Sequence, residues 1–287
     1  MELLRLLENS LVLFGIASGL LGLLVGSFLN VVIYRLPIMI NRAWSLECRE
    51  LLGNPDAGSS GQSTYNLVVP ASSCPHCQRP IRAAENIPLL SYLMLRGRCA
   101  GCGTAISRRY PAIELVTALL SMVVATHYGF GIEALAALAF TWALIPLFMI
   151  DFDHQILPDS ITLPLLWIGL LLSLFGVFVD STTSIIGAVA GYLSLWSIYH
   201  LFKLVTGKEG MGYGDFKLLG AIGAWVGWQL LPVVILFSSV VGACIGIGLI
   251  LLKGRDHNQP MPFGPFLAAA GWLTLLWGQD IISLYLR

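Results

Sequence analysis

The sequence contains little charge. Asp, Glu, Lys and Arg together make up 11% of the 287 residues, and the formal net charge is zero. The sixteen basic residues are too few and too scattered to follow a phosphate backbone, so we predict that nucleic acid is not a partner. Internal repeats and low-complexity tracts are also lacking, so the inverted repeats typical of many transporters are not found.

Apolar residues, by contrast, are abundant. They make up 56% of the chain, and the mean hydropathy is +0.80, well outside the range of soluble globular proteins. A helix needs about 20 apolar residues to cross the hydrocarbon core of a bilayer. We therefore predict an all-α polytopic membrane protein with about eight transmembrane helices, at residues 11–34, 111–128, 133–150, 160–178, 183–204, 215–229, 231–252 and 262–284. The division near Pro232 is the weakest, so seven spans remain an alternative.

The predicted domains follow from these spans. Residues 1–35 hold the first transmembrane helix, residues 36–110 form a polar cytoplasmic loop domain, and residues 111–287 form a seven-helix membrane core. With eight spans, fourteen of the sixteen basic residues fall on one side, and only Arg5 and Arg287 fall on the other. This asymmetry predicts that the loop domain is cytoplasmic and that both termini lie outside the cytoplasm.

Two Cys-x-x-Cys pairs lie in the loop domain. Cys74 and Cys77 form the first pair, and Cys99 and Cys102 form the second after twenty-one intervening residues. Two such pairs can complete a tetrahedral Zn²⁺ site, and four thiolates leave no open position for catalysis, so we predict a structural zinc. Two disulfides are the alternative, but a reducing cytoplasm disfavours them.

Asp215 lies in the run Gly212–Lys217 (GYGDFK), at the start of a predicted span. An ionised carboxylate within the hydrocarbon costs about 2.5–3.5 kcal/mol on insertion scales, so its position calls for a reason. The two glycines before it, Gly212 and Gly214, permit the close approach of backbone or substrate. We interpret Asp215 as catalytic; a helix N-cap is the simpler alternative.

A second acidic cluster, Asp151–Asp159 (DFDHQILPD), ends another span and is predicted to lie on the same membrane face. On depth alone Asp151 is the best partner for Asp215, with Asp153 and Asp159 left as alternatives. Asp159 also suits a capping role for the next helix. Two adjacent carboxylates share a proton, so one can activate water while the other polarises a carbonyl, as in an aspartyl protease. A proton-coupled transporter with a zinc-stapled cytoplasmic loop is the alternative.

Several motifs together resemble the type 4 prepilin leader peptidases with N-methyltransferase activity, a bacterial family of pilus and type II secretion systems. The resemblance covers nearly the whole chain. It rests on both cysteine pairs and on Gly26–Pro37, Arg108–Leu115, Asp151–Asp159, Gly212–Asp215 and Pro262–Phe266.

The resemblance implies an intramembrane aspartyl endopeptidase of the Gly-x-Gly-Asp type in the bacterial inner membrane. In this family the catalytic aspartates match Asp151 and Asp215. The implied substrates are prepilins and pseudopilins, cut after a glycine on the cytoplasmic side. The new N-terminus, commonly Phe, is then methylated from S-adenosyl-L-methionine. The sequence has no Gly-x-Gly-x-x-Gly motif after a predicted strand, so it does not indicate a soluble methyltransferase fold. The residues that bind the methyl donor are therefore unknown.

Overall fold

The computed structural model describes residues 2–53, 64–253 and 261–285, and these residues are mainly helical. They contain no β-strand, only two isolated bridges in the cysteine-rich loop. The α-helices are α1 (Glu2–Asn9), α2 (Leu11–Leu51), α3 (Leu90–Met94), α4 (Arg109–Tyr128), α5 (Ile132–His154), α6 (Asp159–Ser173), α7 (Ser181–Thr206), α8 (Tyr213–Val226), α9 (Leu231–Lys253) and α10 (Gly264–Tyr285). The chain divides into two compact units, Met1–Thr126 and His127–Arg287.

Each of the eight predicted spans coincides with a helix. Six helices in the described part are long and apolar enough to cross a membrane: α2, α4, α5, α7, α9 together with the 3₁₀ turn before it, and α10. The other two, α6 and α8, have 15 and 14 residues, so the count of eight is approximate. The chain is a multi-pass membrane protein. Of the basic residues used to predict its orientation, Arg255 and Arg287 lie outside the described residues.

Helices α2 and α4 of the first unit pack closely against each other at glycine residues of α2. A Cβ added at Gly22 or Gly26 would lie within 3 Å of backbone atoms of α4, so only glycine permits this approach, and one at Gly19 would crowd the Met122 side chain. The partners run in opposite directions along the two helices, from Met122 for Gly19 to Glu114 for Gly26. The two helices are therefore an antiparallel pair held at close distance, the packing that small residues favour in membranes.

Helix α2 is longer than the predicted first span. It continues past Arg35 and Pro37 to Leu51, so its polar extension belongs to the segment predicted as a loop. Residues 41–51 are exposed, but most are of types that form helices readily, which explains the continuation. The arginines mark where α2 leaves the apolar region without ending the helix.

The second unit is built around α8, a short helix with eleven buried residues of fourteen. The backbones of α7 and α8 approach closely at Gly187 and Gly223, where a Cβ on either would collide with the carbonyl group of the other. Trp225 donates its indole N–H to the Leu165 carbonyl of α6 at 2.8 Å. These contacts fix the helix that carries Asp215 in the centre of the unit.

Candidate functional site

Asp215 is the third residue of α8 and is 6% exposed. Gly212 is the N-cap residue, so the interpretation of Asp215 as N-cap is wrong. The Asp215 carboxylate instead accepts a hydrogen bond from the Gly212 backbone. In the first turn of a helix, unpaired N–H groups and the helix dipole favour a negative charge.

Asp151 lies in the last turn of α5 and is 5% exposed. The helix ends at Gln155, whose left-handed backbone (φ 55°) directs its N–H to the Asp151 carbonyl at 2.9 Å. The Asp151 carboxylate accepts a hydrogen bond from the backbone of Gly264, the first residue of α10. Like Asp215, it therefore lies at the N-terminus of a helix.

The two carboxylates are close enough for their charges to interact. Leu157 packs against both Gly214, next to Asp215, and Gly264, which contacts Asp151. A Cβ added at Gly214 would lie 2.8 Å from Leu157 Cβ, and one added at Gly264 would lie 3.1 Å from Leu157 Cδ1. Asp151 Oδ2 and Asp215 Oδ1 are both buried and form no hydrogen bond to any described residue. Buried oxygens of this kind are rare in proteins, and they are the atoms available to water or substrate.

The structure separates Asp153 and Asp159 from this buried pair, since both are exposed. Asp159 is not the N-cap of α6, a position held by Pro158, so the predicted capping role is wrong. Its carboxylate binds Lys217 Nζ through both oxygens, at 2.7 and 2.8 Å. The Asp159 carboxylate is therefore neutralised by Lys217 at the surface, whereas the carboxyl groups of Asp151 and Asp215 are buried close to each other.

The four cysteines of the two Cys-x-x-Cys pairs come together in the first unit. Their Sγ atoms all lie within 4.8 Å of one another, and those of Cys74 and Cys102 are 3.8 Å apart. Tetrahedral Zn²⁺ with Zn–S bonds of about 2.3 Å requires S–S edges of about 3.8 Å, so the cluster fits a metal ion of this size. All six cysteines of the chain are free thiols, as the prediction against disulfides requires.

Both cysteine turns share one backbone pattern. The N–H of Cys74 donates to the carbonyl of Arg79, and the N–H of Cys99 donates to the carbonyl of Thr104. Hydrogen bonds with Thr104 lower the pKa of the Cys102 thiol to about 6, whereas desolvation and the neighbouring thiols raise the pKa of Cys77 to about 11, as expected when adjacent thiols ionise one after the other. The Arg79 guanidinium packs against the second turn at Gly101 and pairs with Glu85 at 2.6 Å.

Sequence reasoning missed Gly264 as a direct contact of Asp151. The motif Pro262–Phe266 entered only through the family resemblance, and nothing in its local pattern indicates which residue it approaches. The space at Gly264 is the structural reason for a glycine there, since a Cβ would lie 2.6 Å from Asp151 Oδ2. The ion pair between Lys217 and Asp159 was not predicted from the sequence either.

Two family models match the chain. The bacterial peptidase A24 N-terminal domain matches residues 20–128, and the type IV leader peptidase family matches residues 138–247. Among similar proteins, one from Aeromonas hydrophila is 60% identical over 93% of this chain and 92% of its own length. One from Pseudomonas aeruginosa is 55% identical over 100% and 98%, and one from Dichelobacter nodosus is 52% identical over 98% and 97%. All three are named prepilin leader peptidase/N-methyltransferase; no solved structure matches the chain.

Proposed function

Because the chain belongs to the prepilin leader peptidase/N-methyltransferase family, we propose that it cleaves the basic leader from type 4 prepilins and pseudopilins and then N-methylates the new N-terminal residue. The observation that carries the peptidase activity is the pair of buried carboxylates, Asp151 and Asp215, each with one oxygen that forms no hydrogen bond to a described residue. Nothing in the structure or the comparisons favours the proton-coupled transporter considered from the sequence.

In the proposed reaction the pair holds one proton. The ionised carboxylate takes a proton from water, which attacks the scissile carbonyl, while the protonated carboxyl group polarises the carbonyl oxygen. As the C–N bond of the tetrahedral intermediate breaks, the carboxyl group that took the proton from water gives it to the leaving amine, and the pair again holds one proton. The backbone groups of Gly212 and Gly264 hold the two carboxylates in place, which supports a fixed geometry for this transfer.

We further propose that Cys74, Cys77, Cys99 and Cys102 bind a structural Zn²⁺ in the cytoplasmic loop domain at residues 36–110. The distances between the Sγ atoms support a tetrahedral ion. A domain this small buries little apolar surface, so it depends on a metal ion for its stability. The ion would tie the two cysteine turns together, and with four thiolates as ligands it would take no part in the cleavage.

We propose that the protein resides in the bacterial inner membrane, with the carboxylate pair and the cysteine cluster on the cytoplasmic side and both termini in the periplasm. The distribution of basic residues in the sequence supports this orientation. S-adenosyl-L-methionine is the methyl donor that the second activity implies, and we assign no residues to it.

The proposed function is tested with the full-length protein in nanodiscs, a purified prepilin and isotopically labelled S-adenosyl-L-methionine. Mass spectrometry should find mature pilin that lacks the leader and carries a labelled methyl group on its new N-terminus. A prepilin in which the glycine before the cleavage site is replaced serves as the control and should remain uncut. A folded, zinc-loaded protein that leaves the normal prepilin intact would refute the peptidase assignment.

A further inference from the structure

The pairing of α2 with α4 provides a scale of depth for the first unit. Gly26 of α2 packs against the Cα of Glu114 in α4, and the Asn30 side chain donates to the Tyr110 carbonyl at 3.1 Å. Gly26 lies nine residues before Arg35, which corresponds to about 13 Å along a helix. Glu114 lies five residues after Arg109, which corresponds to about 7.5 Å. Glu114 is therefore well below the level at which both helices become basic.

Part of the cysteine-rich loop reaches down to Glu114. The Leu89 backbone N–H donates to Glu114 Oε2 at 2.8 Å, and Ser27 of α2 also donates to this carboxylate. Glu114 is only 8% exposed. An ionisable residue within a membrane span requires a partner, and here the partner is the backbone at the start of α3. The loop is thereby held at the depth of the first two turns of α4.

The side chains around this contact are apolar and exposed. Leu93 and Met94 in α3 are 70% and 74% exposed, and Ile87 and Leu90 are 45% and 51% exposed. Such a cluster on the surface of a small domain in water is unfavourable and marks an interaction site. At the depth of Glu114, these apolar side chains would lie at the boundary of the hydrocarbon core and be covered by lipid.

Basic residues follow the apolar ones directly. Arg96 and Arg98 are exposed, and residues 64–110 contain six arginines but only one acidic residue, Glu85. Exposed apolar residues beside arginines are typical of segments that lie in the membrane interface and bind anionic headgroups. The same charge would repel the basic leader of the proposed substrate, so lipid is the better partner.

We propose that residues 87–98 form an interfacial segment, which inserts Ile87, Leu90, Leu93 and Met94 into the lipid and places Arg96 and Arg98 among anionic headgroups. Interfacial elements reach about 5–10 Å into the headgroup and acyl boundary, a depth comparable to that of Glu114, about 7.5 Å below Arg109 and about 13 Å below Arg35. The cysteine-rich loop is then bound to the membrane surface in its middle, in addition to its attachments through α2 and α4.

The test measures the depth of a spin label in nanodiscs with and without phosphatidylglycerol. A single label is placed through Leu93→Cys in the full-length protein, with Cys48 and Cys244 replaced by Ser and zinc present. The label should collide more with oxygen, which dissolves in lipid, than with a water-soluble nickel chelate. Phosphatidylglycerol should increase this difference, and replacing Arg96 and Arg98 by Gln should remove the increase.

Ser45→Cys is the matched control, because Ser45 is exposed on α2 about 15 Å beyond Arg35 and its label should be aqueous. Glu114→Ala frees Leu89 and should move the Leu93 label toward water, whereas Glu114→Gln retains an acceptor and should not. A Leu93 label as accessible to the chelate as that at Ser45 would overturn the proposal. So would a label shielded from both reagents, since protein would then cover this surface.

Discussion

Replacing Gly264 by Ala probes the carboxylate pair without removing a charge. The added Cβ would lie 2.6 Å from Asp151 Oδ2 and 3.1 Å from Leu157 Cδ1, whereas ordinary contacts begin at 3.4 Å. The carboxylate or the start of α10 must therefore move by about 0.8 Å. Crowding of this kind costs about 1–3 kcal/mol of stability, and a better helix former recovers up to about 1 kcal/mol. The protein should therefore still fold.

Catalysis should suffer more than stability. A displacement of about 1 Å can reduce the rate of a positioned reaction by about 100-fold, so we expect kcat for prepilin cleavage to fall by about 10- to 100-fold. The assay follows initial rates of leader removal at saturating prepilin, together with the melting temperature. KM should change little if the defect lies in the position of Asp151.

Gly278→Ala is the matched control for this substitution. Gly278 lies in the same helix, and its added Cβ would lie 2.9 Å from Leu230 Cδ1, so the crowding is similar but distant from Asp151. It should lower the melting temperature by a comparable amount and leave kcat near the wild-type value. Wild-type cleavage by folded Gly264→Ala, or an equal loss in Gly278→Ala, would refute the reasoning.

Three further predictions concern the metal cluster, the surface ion pair and the helix packing. Cys74→Ser should abolish the binding of about one equivalent of zinc measured by metal analysis, while Cys48→Ser should retain it; wild-type protein without zinc would contradict the site. Lys217→Met should lower stability by only about 0.2–1 kcal/mol in denaturant titrations and preserve cleavage, since the pair is partly exposed; a loss of activity would show that the pair acts on the site. Gly223→Ala should prevent folding, because its Cβ would meet the backbone of Gly187, which cannot move aside; a stable variant would contradict the packing of α7 and α8.

Patterns that depend on one segment at a time could be predicted from the sequence. Apolar runs located the helices because a membrane span must satisfy its own backbone hydrogen bonds. The spacing of the two Cys-x-x-Cys pairs likewise predicted the cluster, since two thiolates per turn limit the possible arrangements. The shared membrane face of Asp151 and Asp215 was predicted from the number of spans between them.

Contacts between distant segments could not be predicted in this way. Gly264 follows Asp151 by more than 100 residues, and only the folded unit shows that its backbone contacts the carboxylate. Depth alone did not separate Asp151 from its acidic neighbours; the exposure of Asp153 and Asp159 and the pairing of Asp159 with Lys217 distinguish them. The extension of α2 past Pro37 was missed because the residues after position 35 were assigned, on their polar composition, to the loop domain.

The central claim is that Asp151 and Asp215 act as one catalytic pair. The most direct measurement is the rate of prepilin cleavage by Asp151→Asn, Asp215→Asn and the double variant, each checked for folding and zinc content. Both single variants should lose cleavage almost completely, the double variant should be no slower than either, and Asp153→Asn should cleave at nearly the wild-type rate. Substantial cleavage by either single variant, or an equal loss in Asp153→Asn, would contradict the assignment of the pair.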